Sequence, residues 1–327
     1  MRTVEVIVTE ENQGGRIDRV LGKLFFPEYS RSYLTCMIEA GTIRVNGSKV
    51  KKNYRLAREE KITLELSDRV EETPEAEDLP LRILFEDDHL IVIDKPQGMV
   101  IHPGRGAQTG TLVNALLFHY PGIAKVGIAF RPGIVHRLDK ETSGVLVVAR
   151  TNLARYHLVE QFKNRQVEKE YHALVVGEMP YDSDYVDLPI SKDLKNHEKM
   201  RVDRSGGKPA STFYEVIERF DGFTYAKVIP HTGRTHQIRV HMWHLGFPMV
   251  ADALYGKGKG MQYWSLIERE KAEGRPHPLI SRHALHAKQL TFAHPVTNEK
   301  MQFTSDLPRD MEQLLDWFRR ERRLKAH

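Results

Sequence analysis

The chain has 327 residues, 40% hydrophobic and 28% charged, with a net charge of +5 and a pI near 9.1. That is the composition of an ordinary globular protein with room for two domains. No apolar run approaches the roughly 18 residues that span a bilayer, and MRTVEVIVTEEN lacks the basic, apolar, small order of a secretory signal, so the expected compartment is the cytoplasm. A single cysteine, Cys36, excludes an intrachain disulfide and a multi-cysteine zinc site; its place in an apolar helical pattern predicts a buried thiol.

In chain order, residues 1–70 predict a small α+β unit. Ile17, Val20, Leu21 and Leu24 fall at helical spacing. Ser30 is a candidate N-cap for a second helix through Leu34, Met37 and Ile38, with Gly41 as its stop. Ile43 to Val45, Asn46-Gly47 and Ser48 to Lys51 then spell a hairpin, and Ile62, Leu64 and Leu66 alternate as a strand. Arg44, Lys49, Lys51, Lys52 and Arg55 crowd the hairpin and the turn after it. Such a run is most often a solvated face. Two short helices, a basic hairpin and a strand, with the phrase GTIRVNG at 41–47, resemble the S4 RNA-binding module. The resemblance implies that these five cations meet RNA phosphates rather than bases.

Residues 71–80 form an acidic linker, rich in Glu and carrying Pro74 and Pro80, and are expected to be extended and mobile. From residue 81 to 327 a second, larger domain is expected. Strands are predicted at Leu90 to Ile93, Val145 to Ala149, Glu168 to Val176, Ser211 to Ile217 and Phe223 to Ile229. Helices are predicted at Leu112 to His119, at Leu153 to Phe162 and through Met311, Leu314, Leu315 and Phe318. Several strands follow one another directly, which favours a mixed, mostly antiparallel sheet over a doubly wound one. The stretch 256–282 reads as a long surface loop with a short helix. No P-loop, dinucleotide fingerprint or internal repeat is present.

The most informative stretch is GIVHRLDKETSG, Gly133 to Gly144, followed at once by the apolar strand Val145–Ala149. It sets Asp139 between Arg137 and Lys140 in a loop anchored to a buried strand. Nearby positive charge favours the ionised carboxylate, which can act as nucleophile or base on an anionic substrate. An Asp among cations more often simply closes a turn. Here the string resembles the catalytic signature of the RluA-type pseudouridine synthases. Three further stretches share the resemblance: HLIVIDKPQGMVIHPG (89–104), KEYHALVVG (169–177) and HTGRTHQIRVHMWHLGFPMVADALYG (231–256). It covers nearly the whole chain from Gly14, and its overall layout is similar to the D-type synthases of the large ribosomal subunit.

The resemblance implies an α+β pseudouridine synthase fold and isomerisation of uridine in large-subunit (23S) ribosomal RNA, at several uridines of the helix 69 stem-loop. It implies Asp139 as the reacting carboxylate, Arg239 as its ion-pair partner and Tyr171 against the uracil. Arg137 would fill the space of the everted nucleotide, with His136 and Arg234 as further RNA contacts. The reaction breaks one C–N bond and makes one C–C bond within a nucleotide, so no cofactor is implied. No metal is expected either: His231, His236, His241 and His244 are poorly spaced for one helical face. A monomer acting on ribosomal RNA or a preribosomal particle is expected, with no membrane partner. The alternatives are a C-type synthase acting on other uridines of the same RNA, a non-catalytic ribosome-assembly protein and an RNA glycosidase. The last would want a second, general-acid carboxylate that is not evident.

Overall fold

The structure is a computed structural model that describes residues 2–25, 29, 31–66, 74–104, 107–127, 131–256, 263 and 280–323. Ser30, residues 71–73 of the acidic linker and most of the 256–282 stretch lie outside these residues.

The N-terminal residues make their own sheet and core. Strands β1 (Arg2–Ile7), β2 (Ile43–Val45), β3 (Ser48–Lys49) and β4 (Lys61–Leu66) pair antiparallel in the order β1-β4-β2-β3. Helices α1 (Ile17–Leu24) and α2 (Arg31–Ala40) bury Ile17, Leu21, Leu34 and Ile38 with Ile43, Ile62 and Leu64. Asn46 and Gly47 both take positive φ, 47° and 77°, as a type I′ turn demands. Buried Asp18 ties the helices together, accepting from Arg16 at 3.0 Å and from Arg31 at 2.5 Å. Cys36 is exposed, not buried. It falls between Leu34 and Met37 in sequence but on the opposite side of α2 from the buried Leu34 and Ile38.

The linker corrects a second expectation. Its described part, residues 74–80, is not loose but runs along helix α3 (Leu112–His119). Asn114 Nδ2 donates to the Glu75 carbonyl at 2.7 Å, and Glu77 N donates to the Asn114 carbonyl at 3.0 Å. The Glu77 carboxylate accepts from Gly110 N at 3.0 and 3.1 Å, and His119 Nε2 lies 2.8 Å from the Leu79 carbonyl. Glu77, in the segment expected to be mobile, is answering an amide just ahead of a helix, where negative charge is favoured.

The remaining strands are β5 (Arg82–Glu86), β6 (Leu90–Lys95), β7 (Ser143–Ala149), β8 (Glu168–Val176), β9 (Ser183–Asp187), β10 (Ile190–Lys192), β11 (Met200–Val202), β12 (Ser211–Phe220), β13 (Phe223–Pro230), β14 (Leu285–Ala293) and β15 (Lys300–Thr304). The helices are α4 (Asn152–Lys163), α5 (Gln237–His244) and α6 (Arg309–Glu321). The central sheet runs β5-β6-β7-β14-β8-β13-β12-β9, with β15 paired to β14; β10 and β11 form a separate hairpin. Among these pairings only β7 with β14 is parallel, so the fold is α+β with a mixed, mostly antiparallel sheet. Strands β7 and β15 use successive stretches of one edge of β14: Ser143 and Gly144 pair with His286 and Ala287, and β15 takes over from Gln289. At Gly144, φ is 110° and an added Cβ would stand 2.2 Å from the Ala287 carbonyl, so only glycine fits that crossing. The Asp139 loop therefore enters the sheet where it splits.

Candidate active site

The loop that carries Asp139 is pinned from below by buried polar groups. Lys95, fully buried at the end of β6, donates to the carbonyls of Pro96, Met99 and Lys140 at 2.8, 3.0 and 3.1 Å. Gly98 N also donates to the Lys140 carbonyl, at 2.9 Å. Thr142 N closes a turn onto the Asp139 carbonyl at 3.1 Å, and its hydroxyl meets His283 Nε2 at 2.8 Å. Arg282 donates to the Glu141 carbonyl at 2.9 Å while Asp310 of α6 holds its other nitrogens at 2.7 and 2.9 Å. Burial pulls the Lys95 amine down to about 7. Three carbonyl acceptors call for all three N–H groups of the ammonium, so the geometry favours the charged form.

Arg239, in the first turn of α5, reaches across from the other side. Its Nη1 donates to Asp139 Oδ2 at 3.0 Å, while Nε and Nη2 grip Asp252 at 2.7 and 2.9 Å. Asp252 also accepts from the amides of Leu254 and Tyr255, both at 3.0 Å, and the Tyr255 ring lies 5.0 Å from the guanidinium carbon. This bidentate grip fixes the arginine's plane before any substrate arrives. Burial works against the charged form of Asp139, but its neighbours His236, Arg239 and His283, with the Arg239 hydrogen bond, hold its carboxyl below the usual range, most directly through the Arg239 charge once the imidazoles are neutral. Burial also depresses His236, and it takes His283 to about 3 with help from Arg239. Both imidazoles are therefore neutral near pH 7, and Arg239 is the standing cation.

Tyr171, on β8, faces the same cavity of about 550 Å³ as Asp139, Arg137, Lys169, Arg234 and Arg239. Burial, reinforced by the Asp139 charge, pushes its phenol well above the usual value, so the hydroxyl is protonated. A second cavity of about 880 Å³ shares the wall of Arg137, Leu138, Asp139, His236 and Arg239. The carboxylate thus stands in a partition between two spaces, with exposed Arg137 at the edge of both.

The structure treats the other sequence-picked residues unequally. His136 Nε2 accepts from Val147 N at 3.0 Å and its ring stacks on Phe162 at 4.5 Å; burial, then the Lys169 charge, depresses it to about 3. Those contacts make it a strut of the loop, with the ring's acceptor already engaged by the sheet. Arg234 donates to the Pro209 carbonyl at 3.1 Å from the cavity rim. His241 is buried between the Thr212 hydroxyl and the Leu188 carbonyl, both at 2.9 Å. In the N-terminal unit Lys52 pairs with Glu39 at 2.8 Å and Arg55 donates to the Gly14 carbonyl at 2.9 Å, while Arg44, Lys49 and Lys51 are exposed. These five cations belong to the N-terminal unit and line neither of the two cavities that share Asp139. Sequence reasoning missed Asp252, Lys95 and Tyr255. For Asp252 the signal was present, 13 residues beyond Arg239 in the same motif; Lys95 lies within the 89–104 stretch, as the last residue of its strand.

Residues 89–244 match the sequence profile of the RNA pseudouridylate synthases. The uncharacterized RNA pseudouridine synthase YlyB of Bacillus subtilis is 38% identical over 98% of this chain and 99% of its own length. Ribosomal large subunit pseudouridine synthase D is 41% identical in Xanthomonas campestris, covering 97% of this chain and 93% of the relative. The protein of that name in Pseudomonas aeruginosa is 40% identical, covering 94% and 93%. Among solved structures, human RNA pseudouridylate synthase domain containing 4 aligns with a TM-score of 0.55 and 29% identity over 73% of this chain and 93% of its own. Human RNA pseudouridylate synthase domain containing 1 aligns with a TM-score of 0.54 and 25% identity over 76% and 99%. The chain belongs to the RNA pseudouridine synthases of the RluA type and is an enzyme of that class. Among its described residues no helix is long and apolar enough to cross a membrane.

Proposed function

We propose that this enzyme isomerises uridines of large-subunit ribosomal RNA, at several positions of the helix 69 stem-loop. The observation that carries the ribosomal reading is that relatives aligned over nearly the full chain bear the name ribosomal large subunit pseudouridine synthase D. In this reading Asp139 is the reacting group, acting either on C1′ or on the 2′ proton; both routes need the ionised carboxylate that Arg239 sustains. Tyr171 lies against the uracil face, and Arg137 fills the place the everted nucleotide leaves. Base eversion costs a few kcal/mol, least where the base is already unpaired, which suits a stem-loop target. Arg234 and the cavity's other cations track the RNA backbone, and the N-terminal unit adds S4-like phosphate contacts through Arg44, Lys49, Lys51, Lys52 and Arg55. The protein works as a cytoplasmic monomer on ribosomal RNA or a preribosomal particle.

The test is a pseudouridine map of the host's ribosomal RNA with and without the gene. Loss of the helix 69 pseudouridines alone is the expected result; loss elsewhere, or none, overturns the target. Asp139→Asn expressed in the deletion strain should fail to restore them. In vitro it should turn over at least about 10⁴-fold more slowly, as losing a reacting group does, with RNA binding retained.

A further inference from the structure

The cluster around Tyr255 lies outside the Asp139, Arg239 and Tyr171 set, yet it touches two of the three. His236 precedes α5 with φ 54° and ψ 20°, a left-handed conformation uncommon for a residue with a Cβ. That conformation aims the ring into the partition between the cavities, with Nε2 3.8 Å from Asp139 Oδ2 and Nδ1 3.0 Å from the Tyr255 hydroxyl. Tyr255 is 1% exposed, and its oxygen accepts from Met200 N at 2.8 Å. Burial keeps the phenol protonated, at about 12. Its one proton then has an acceptor in line: His236 Nδ1. A neutral imidazole that accepts at Nδ1 carries its hydrogen on Nε2, and here that hydrogen faces the carboxylate. The opposite tautomer would turn a lone pair toward an anion. Both ends of the ring therefore select the same state.

We propose that His236 is a positioning residue of this active site, held by Tyr255 as the Nε2–H tautomer so that it and Arg239 both engage Asp139 Oδ2 and leave Oδ1 for the nucleotide. The inference rests on Asp139 being the reacting carboxylate. At 3.8 Å the His236 contact is longer than a hydrogen bond, and this positioning role requires it to close when RNA enters, as long contacts in substrate-free sites often do. The hairpin of β10 and β11 supplies Met200, so the chain Met200, Tyr255, His236, Asp139 links a surface hairpin to the reacting group.

The experiment uses the full-length protein, an unmodified transcript of large-subunit ribosomal RNA, and single-turnover kinetics beside RNA binding. Tyr255→Phe removes only the hydroxyl, and His236→Ala removes the ring. Each should slow the single-turnover step about tenfold with unchanged RNA affinity, and the double variant should be no slower than the worse single one, because one chain is broken in each. His236→Gln, which retains a side-chain N–H, should recover part of the loss. Nitrogen NMR of the ring should show Nε2–H in the wild type and a tautomer mixture in Tyr255→Phe. A wild-type ring protonated on Nδ1, unchanged rates in the single variants, additive losses, or a loss confined to RNA affinity would each overturn the assignment. Failure of the underlying reading looks different: Asp139→Asn would then turn over like the wild type.

Discussion

At the scale of single residues, Asp139 is kept ionised by the groups around it, of which Arg239 is the cation in hydrogen-bond contact. A carboxyl held below its ordinary value of 3.8 keeps its charge as pH falls, so the acid limb of the rate profile lies below the range in which most enzymes are assayed. Replacing Arg239 by Gln removes the cation and leaves the burial, which raises the pKa. The acid limb of the kcat profile should therefore move to higher pH, toward neutrality, and a profile that keeps its wild-type limb would show that another group sustains the charge. The same variant deprives buried Asp252 of its partner. Both carboxylates are depressed in the fold, so they stabilise it above their unfolded values and lose that contribution as pH falls through the folded ones. The variant should accordingly unfold more readily at neutral pH, measured by denaturant melts. Asp139 and Arg239 were legible because each sits in a long signature string. Their contact, across 100 residues of sequence, was implied only by resemblance. The tautomer of His236 was not legible at all, since it depends on a tyrosine 19 positions away and on an amide from another hairpin.

At the scale of elements, periodicity found α6, whose burial is one-sided through Met311, Leu314, Leu315 and Phe318. Helix α3 and strand β8 also fall where expected, although α3 buries residues 112–117 in succession and β8 buries its last four. Strand β14 escaped notice because His286, its second residue, is in the core, and His283 just ahead of it is buried too. These buried polar residues break an apolar pattern, and they are there for the loop: His283 meets Thr142, and His286 meets the Ser143 hydroxyl at 3.0 Å. The linker misled for a related reason, because the partners of Glu75 and Glu77 lie more than 30 residues on. Lys95 shows how much one such group supports, since its amine gathers three carbonyls from two segments of chain. Lys95→Met keeps the stem and removes the donors, taking from the Pro96 and Met99 carbonyls the amine they share and leaving the Lys140 carbonyl with Gly98 N alone. Stability should fall by about 2 kcal/mol or more, read from denaturant midpoints at constant slope. Activity should fall further than stability explains, because the Lys140 carbonyl adjoins Asp139. A variant as stable as the wild type would mean that water or a neighbouring amide replaces the amine.

At the scale of the whole molecule, the Asp139 loop leads into the central sheet, whereas the basic hairpin belongs to another sheet with its own core. Chemistry and grip should therefore respond to different variants. Lys49 and Lys51 are the residues to change: they are exposed, whereas Lys52 is already paired with Glu39 and Arg55 with a carbonyl. The two also border a concavity of about 560 Å³ with Arg16 and Lys52. For every phosphate that a cation no longer neutralises, the dependence of log affinity on log salt should flatten by roughly 0.7 to 0.9. The Lys49→Glu, Lys51→Glu double variant should thus bind the ribosomal transcript more weakly at low salt, by a margin that closes as salt rises. The rate at saturating RNA should stay at the wild-type value, because neither side chain lines the cavities around Asp139. An unchanged salt slope would place the RNA elsewhere and leave the N-terminal unit without the phosphate role assigned to it. A lowered saturating rate with an unchanged slope would instead couple that unit to the chemistry.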